Sequence, residues 1–169
     1  MSSKLIIIRG NSGSGKTTVA KEVRRWIGDG LSDDTMLVQQ DVLRRDILRE
    51  RDKSNKRSVI ELIELIVEFG RKQDRTVILE GILSAKKYGP MLHKLINTFD
   101  EAYLYYFDLS FEETLVRHAS KPNAHEYGEK EMREWWNEKD YLGTPGEKIL
   151  HEGMGVDDIV SDIISDIGG

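Results

Sequence analysis

Gly10-Asn11-Ser12-Gly13-Ser14-Gly15-Lys16-Thr17 places glycines, a lysine and a hydroxyl at the spacing G-x-x-x-x-G-K-[ST]. The chemistry of such a segment is phosphate binding. Its glycines let successive backbone N–H groups turn inward, and a helix opening at its end adds positive potential. Lys16 supplies a charge that reaches outer phosphates, and the Thr17 hydroxyl is a hard oxygen ligand suited to magnesium. Thr18 extends the candidate loop by one residue. A glycine-rich turn that binds nothing would need neither the lysine nor the hydroxyl, so the set reads as nucleotide-binding.

Such a loop works only between a buried strand and a helix, and both are legible. Leu5-Ile6-Ile7-Ile8 is a continuous apolar run, as in a strand covered on both faces. Val19, Ala20, Val23, Trp26 and Ile27 then recur at helical spacing. Further strands are expected at 36–38, 76–80, 102–107 and, shortest, 149–150. Helices are expected at about 41–50, 58–72, from Pro90 to Phe99, from Ser110 to Pro122, at 129–140 and from Val156 to Ile167. Glu68 and Lys72 form an i,i+4 pair, Ser110 and Glu113 a capping-box pattern, and Pro90 is placed in a first helical turn. Strands alternating with helices give an α/β fold: a mainly parallel sheet of about five strands with right-handed crossovers.

Composition narrows the class. The chain has 169 residues, 38% hydrophobic and 33% charged, without repeat or linker, which fits one domain. Cysteine is absent, which excludes disulfides, thiolate metal sites and a cysteine nucleophile. The net charge of -5 argues against a general nucleic-acid coat. No run approaches the ~18 apolar residues of a membrane span, and the apolar start is too short for a signal peptide, so the expected address is the cytoplasm. The chain is short for an AAA-type or motor ATPase with extra modules, and it lacks the N-K-x-D guanine motif.

Gly10 to Thr18, Gln39-Gln40-Asp41-Val42-Leu43-Arg44, Val77-Ile78-Leu79-Glu80-Gly81 and Ser110 to Pro122 together resemble the small bacterial P-loop kinases. These are the zeta-toxin-like, chloramphenicol-phosphotransferase-like and polynucleotide-kinase-like enzymes, some labelled uridine kinase-like. The resemblance implies a three-layer P-loop fold with a helical lid, here about 117–140, and ATP and Mg2+ as cofactors. It also gives Asp41 the place of the carboxylate that contacts the acceptor hydroxyl. Arg44 would face the same cleft; the competing role for Asp41 is a helix N-cap. Glu80 sits where a Walker-B-like acid belongs, although family members often carry aspartate there. It would hold magnesium through water or contact the acceptor; a solvent-facing strand end is the other reading. Asp41 is a second candidate for a water-mediated magnesium contact.

Arg117, Lys121 and Arg133 are candidate lid cations that would neutralise charge on a transferring phosphoryl group. For Arg117 the alternative is a surface pair with Glu113. His118 and His125 read as surface histidines, and Trp135-Trp136 as lid packing. Residues 44–57 carry Arg44, Arg45, Arg49, Arg51, Lys53, Lys56 and Arg57 against Asp46, Glu50 and Asp52. That is either a solvated helix face or the border of a site for an anionic acceptor. The expected activity is transfer of a γ-phosphoryl group to a hydroxyl of a small acceptor: a nucleoside, nucleotide sugar or antibiotic-like molecule. An ATP-binding regulator without phosphotransfer is the second class. A 5′-hydroxyl polynucleotide kinase is the third, disfavoured by the acidic balance. Oligomeric state is not legible.

Overall fold

Leu5, Ile6, Ile7 and Ile8 are all 0% exposed, the outcome that a four-residue apolar run demands when both faces of its strand are covered. The computed structural model describes residues 2–28, 34–51 and 56–168. Asp52 and Lys53 of the basic stretch lie outside them. The strands are β1 (Lys4–Gly10), β2 (Thr35–Gln39), β3 (Thr76–Gly81), β4 (Glu101–Asp108) and β5 (Glu147–His151). They pair in the order β2-β3-β1-β4-β5, every pair parallel. The helices are α1 (Lys16–Gly28), α2 (Ser58–Lys72), α3 (Ala85–Thr98), α4 (Phe111–Ala119), α5 (Glu129–Glu134) and α6 (Val156–Gly168).

The period of two along a strand divides the core. Leu5 and Ile7 pack on one side with Val77 and Leu79 against Ile63 and Val67 of α2 and Leu92 and Leu95 of α3. Ile6 and Ile8 pack on the other with Ile78, Tyr105 and Phe107 against Val19 and Val23 of α1 and Ile159 and Ile163 of α6. The result is the expected three-layer α/β sheet.

Several local expectations shift. The helix expected at 41–50 shrinks to one π-helical stretch, Val42–Ile47. The Leu48 N–H reaches the Leu43 carbonyl and the Glu50 N–H the Arg44 carbonyl, and Arg49 takes a left-handed backbone at φ 54° that stops the winding. The helix expected at 129–140 ends at Glu134, because the Asn137 N–H goes to the Asn11 side chain instead of continuing a helical ladder. Pro90 is not in a first turn: α3 opens at Ala85, which places Pro90 inside it. Glu68 pairs with Arg71 at 3.0 Å and not with Lys72. Ser110 does cap α4, accepting from the Glu113 N–H, but the Ser110 N–H is taken by Glu152, so the capping box is only half formed.

Candidate active site

All strands run the same way, so the carboxyl ends of β1, β2 and β3 open on one edge, where ligands of such sheets bind. The register sets Ile8 opposite Glu80 and Gln39 opposite Glu80. The phosphate-binding loop leaves β1 at Gly10 and enters α1 at Lys16. Gly13 has φ +82°, and a Cβ there would lie 2.6 Å from the Thr114 carbonyl oxygen of α4. Only glycine fits both the conformation and the space. Within the loop the Asn11 carbonyl accepts from the Ser14 N–H (3.3 Å), the Ser14 hydroxyl (2.8 Å) and Lys16 Nζ (2.8 Å). Lys16 is buried, and burial is the main cause that lowers its pKa to about 8. The charges of Glu80 and Asp41 pull it up again, and Lys121 pushes it down further.

Thr17 Oγ1 donates to Glu80 Oε1 at 2.8 Å, and Gln39 Nε2 donates to the same oxygen at 2.9 Å. Glu80 is 4% exposed, so it is not a solvent-facing strand end. Gly81 is required beside it by close approach: a Cβ would sit 2.4 Å from Gln40 Oε1. That amide is itself held by the Leu83 N–H and by Tyr88. Magnesium keeps several waters and takes one or two carboxylates beside phosphate oxygens. The Thr17 hydroxyl with the Glu80 carboxylate fits that habit. Among the described residues, no cluster of three or more His, Asp or Glu is placed to cage a metal unaided.

Asp41 lies at the start of the π-helical stretch but makes no side-chain cap, which removes the N-cap alternative. Its carboxylate, largely exposed, accepts from Arg44 Nη2 at 3.2 Å. Arg44 is buried, and its Nη1 donates to the Glu50 carbonyl at 3.0 Å. Thr18 is exposed in the first turn of α1.

The segment 117–140 packs on the loop. Arg117 combines both of its readings: Nε donates to Glu113 at 2.8 Å and Nη1 to the Ser14 carbonyl at 2.9 Å. Lys121 is drawn into the site, its pKa lowered by burial and pulled up by the charges of Glu80 and Asp41. Arg133 is placed elsewhere, paired with Glu129 at 2.7 Å and lying over the Phe111 ring at 4.2 Å. His118 is not a surface residue: it is 5% exposed, stacked on Tyr127, and bonded through Nε2 to the Tyr127 carbonyl. His125 is exposed as expected. Trp135 meets Tyr127 edge-on within the segment that lies on the loop, and Trp136 meets Phe111 of α4.

Three contributors had no signal in the sequence. They are Asn137, whose backbone exchanges two hydrogen bonds of 2.8 Å each with the Asn11 side chain, Tyr127, whose hydroxyl meets that of Ser12 at 3.1 Å, and Gln39, which fixes Glu80. The first two link residues more than a hundred positions apart, which no local spacing rule reaches.

The profile of the AAA domain family matches residues 5–142, and the chain belongs to that family. The fold is that of the small P-loop kinases. The Mycobacterium tuberculosis APS kinase CysC, solved with AMPPNP and APS, superposes with a TM-score of 0.76 at 16% identity over 99% of each chain. A gluconokinase from Sinorhizobium meliloti 1021 gives 0.66 at 14% identity over 98% of this chain and 91% of that one. A chain of the Pnkp1/Rnl/Hen1 RNA repair complex gives 0.58 at 21% identity, over 85% of this chain and 50% of that one. No curated protein matches the chain by sequence. No helix among the described residues is long and apolar enough to cross a membrane.

Proposed function

We propose that the chain is an ATP- and magnesium-dependent kinase that phosphorylates a hydroxyl of a small acceptor, working as one domain with 117–140 as its lid. The observation that carries this reading is the 2.8 Å hydrogen bond between Thr17 and the buried Glu80, beside Lys16. A loop serving only as a turn has no use for a buried carboxylate aimed at its terminal hydroxyl. The kinase fold of the neighbours supports the same class.

In the proposed reaction the loop N–H groups and Lys16 hold the phosphates, and Thr17 and Glu80 would hold magnesium, which would neutralise charge on the β- and γ-oxygens. Asp41 orients the acceptor O–H and takes its proton as the new O–Pγ bond forms. The bond from Pγ to the bridging oxygen breaks, and the electron pair leaves with ADP. Arg117 and Lys121 face the charge spread over the phosphoryl oxygens. Arg133, held by Glu129 and Phe111, has no part in this scheme. The exposure of Asp41 beside a buried Arg44 favours an acceptor entering from that side.

The test is ADP release from ATP and Mg2+ against nucleosides, nucleotide sugars, antibiotics and 5′-hydroxyl oligonucleotides. Lys16→Ala is expected to abolish nucleotide binding. Asp41→Asn is expected to lower acceptor-stimulated turnover by about a hundredfold or more while ATP affinity holds. Tight ATP binding with no stimulation by any acceptor would favour the regulator instead.

A further inference from the structure

Beside Asp41 lies an open cleft of about 420 Å³ lined by Arg44, Arg45, Arg49, Glu50, Arg51 and Trp135. Its electrostatics are one-sided, with four guanidinium groups and one carboxylate. Arg44 is engaged with Asp41 and the Glu50 carbonyl, and Arg45 lies 3.9 Å from Glu126. Among the described residues no carboxylate pairs with Arg49 or Arg51. Arg49 holds a left-handed backbone at φ 54°, which a side chain of its size rarely adopts. It thereby closes the π-helical stretch and brings its own side chain and that of Arg51 to the cleft wall. Trp135 joins the lining from the segment after α5, and its ring meets Tyr127 edge-on at 5.0 Å.

Like charges gathered in one concavity repel unless an anion enters, and guanidinium forks match the oxygens of a phosphate or sulfate ester. An aromatic side chain in the same lining offers a planar surface to a ring. We infer that this cleft selects the acceptor: a small molecule carrying a phosphate or sulfate ester together with an aromatic ring, the ester held by Arg49 and Arg51 and the ring covered by Trp135. The inference rests on the kinase reading for one point only, that the acceptor hydroxyl meets Asp41. Arg44 joins the two places, lining the cleft and bonding Asp41 at 3.2 Å. Four arginines line this one cleft on a chain whose net charge is -5, which favours a small ester over a polynucleotide tracking a charged surface.

The experiment is calorimetric titration of the full chain with adenosine 5′-monophosphate, adenosine and ribose 5-phosphate, the donor site first saturated with AMPPNP and Mg2+. The monophosphate is expected to bind about tenfold or more tightly than adenosine. Arg49→Gln with Arg51→Gln is expected to remove that advantage. Trp135→Leu is expected to weaken the monophosphate and not ribose 5-phosphate. AMPPNP affinity and Tm serve as folding controls for each variant. Equal affinities for monophosphate and adenosine, or an advantage that survives the double arginine variant, would overturn the inference. So would binding confined to 5′-hydroxyl oligonucleotides with a steep salt dependence. Failure of the kinase reading looks different: no acceptor would stimulate ADP release, while arginine-dependent ester binding persisted and still supported the cleft.

Discussion

In the proposed reaction nucleotide handling turns on Lys16, and its lowered pKa makes that dependence titratable. Burial brings it from 10.5 to about 8, so the free protein sheds this proton through a range in which the unfolded chain keeps it. The sign follows: between those values the unfolded state binds more protons, so this group's contribution to stability rises with pH. Phosphate binding runs the opposite way, because the neutral amine no longer attracts the anion. ATP affinity is expected to fall as pH rises past about 8, and ATP binding at about pH 9 to take up a proton. Calorimetry in buffers of different ionisation enthalpy reads that uptake, which should shrink away by about pH 7, where the free protein already holds the proton. Glu80 is the other decisive side chain. Glu80→Gln keeps the shape and removes the charge beside Thr17, and it is expected to raise the magnesium concentration at half-maximal rate by about tenfold, read from a magnesium titration of turnover.

Among elements, the end of α4 and the segment that follows it carry the interesting mechanics. It touches the phosphate-binding loop at three places: Arg117 on the Ser14 carbonyl, Tyr127 on Ser12, and Asn137 on Asn11. The Asn11–Asn137 exchange uses both the donor and the acceptor of the Asn11 side-chain amide, against the backbone carbonyl and N–H of Asn137, so that side chain cannot turn away without leaving two groups unmatched. Asn11→Ala is expected to cost about 1–2 kcal/mol of local stability. Hydrogen exchange should speed up across 120–140 while the strands stay protected, and the KM for ATP should rise more than kcat falls.

At the scale of the whole molecule, Arg9 ties the sheet to the chain beyond the lid. It is 1% exposed, next to the phosphate-binding loop, and donates to the Leu83 carbonyl, to Glu147 at 3.2 Å and to both the carbonyl and carboxylate of Asp140. The Asp140 carboxylate also accepts the Ala85 N–H that opens α3. One guanidinium therefore positions β1, α3, β5 and the end of the lid segment together. Arg9→Leu would leave two carboxylates facing each other without their cation. The expected cost is about 3–5 kcal/mol, read as a lowered denaturation midpoint with an unchanged m-value.

The loop at 10–17, the two-faced strand at 5–8 and the amphipathic stripes of α2 and α6 depend on local spacing alone, and they stand in the fold where the residues placed them. The parallel sheet followed from the alternation of these elements. Other features depend on what the fold brings next to each residue. Asp41 keeps the helix cap as an alternative until its carboxylate is seen turned to Arg44. Glu80 reads either as a Walker-B-like acid or as a solvent-facing strand end until the register of β1, β2 and β3 sets it beside Thr17 and Gln39. His118 reads as a surface imidazole until Tyr127 closes over it. Local periodicity encodes which face of an element is apolar. Packing across distant parts of the chain decides what each polar group meets, and that is why the loop was legible from its residues while its partners Gln39, Tyr127 and Asn137 were not.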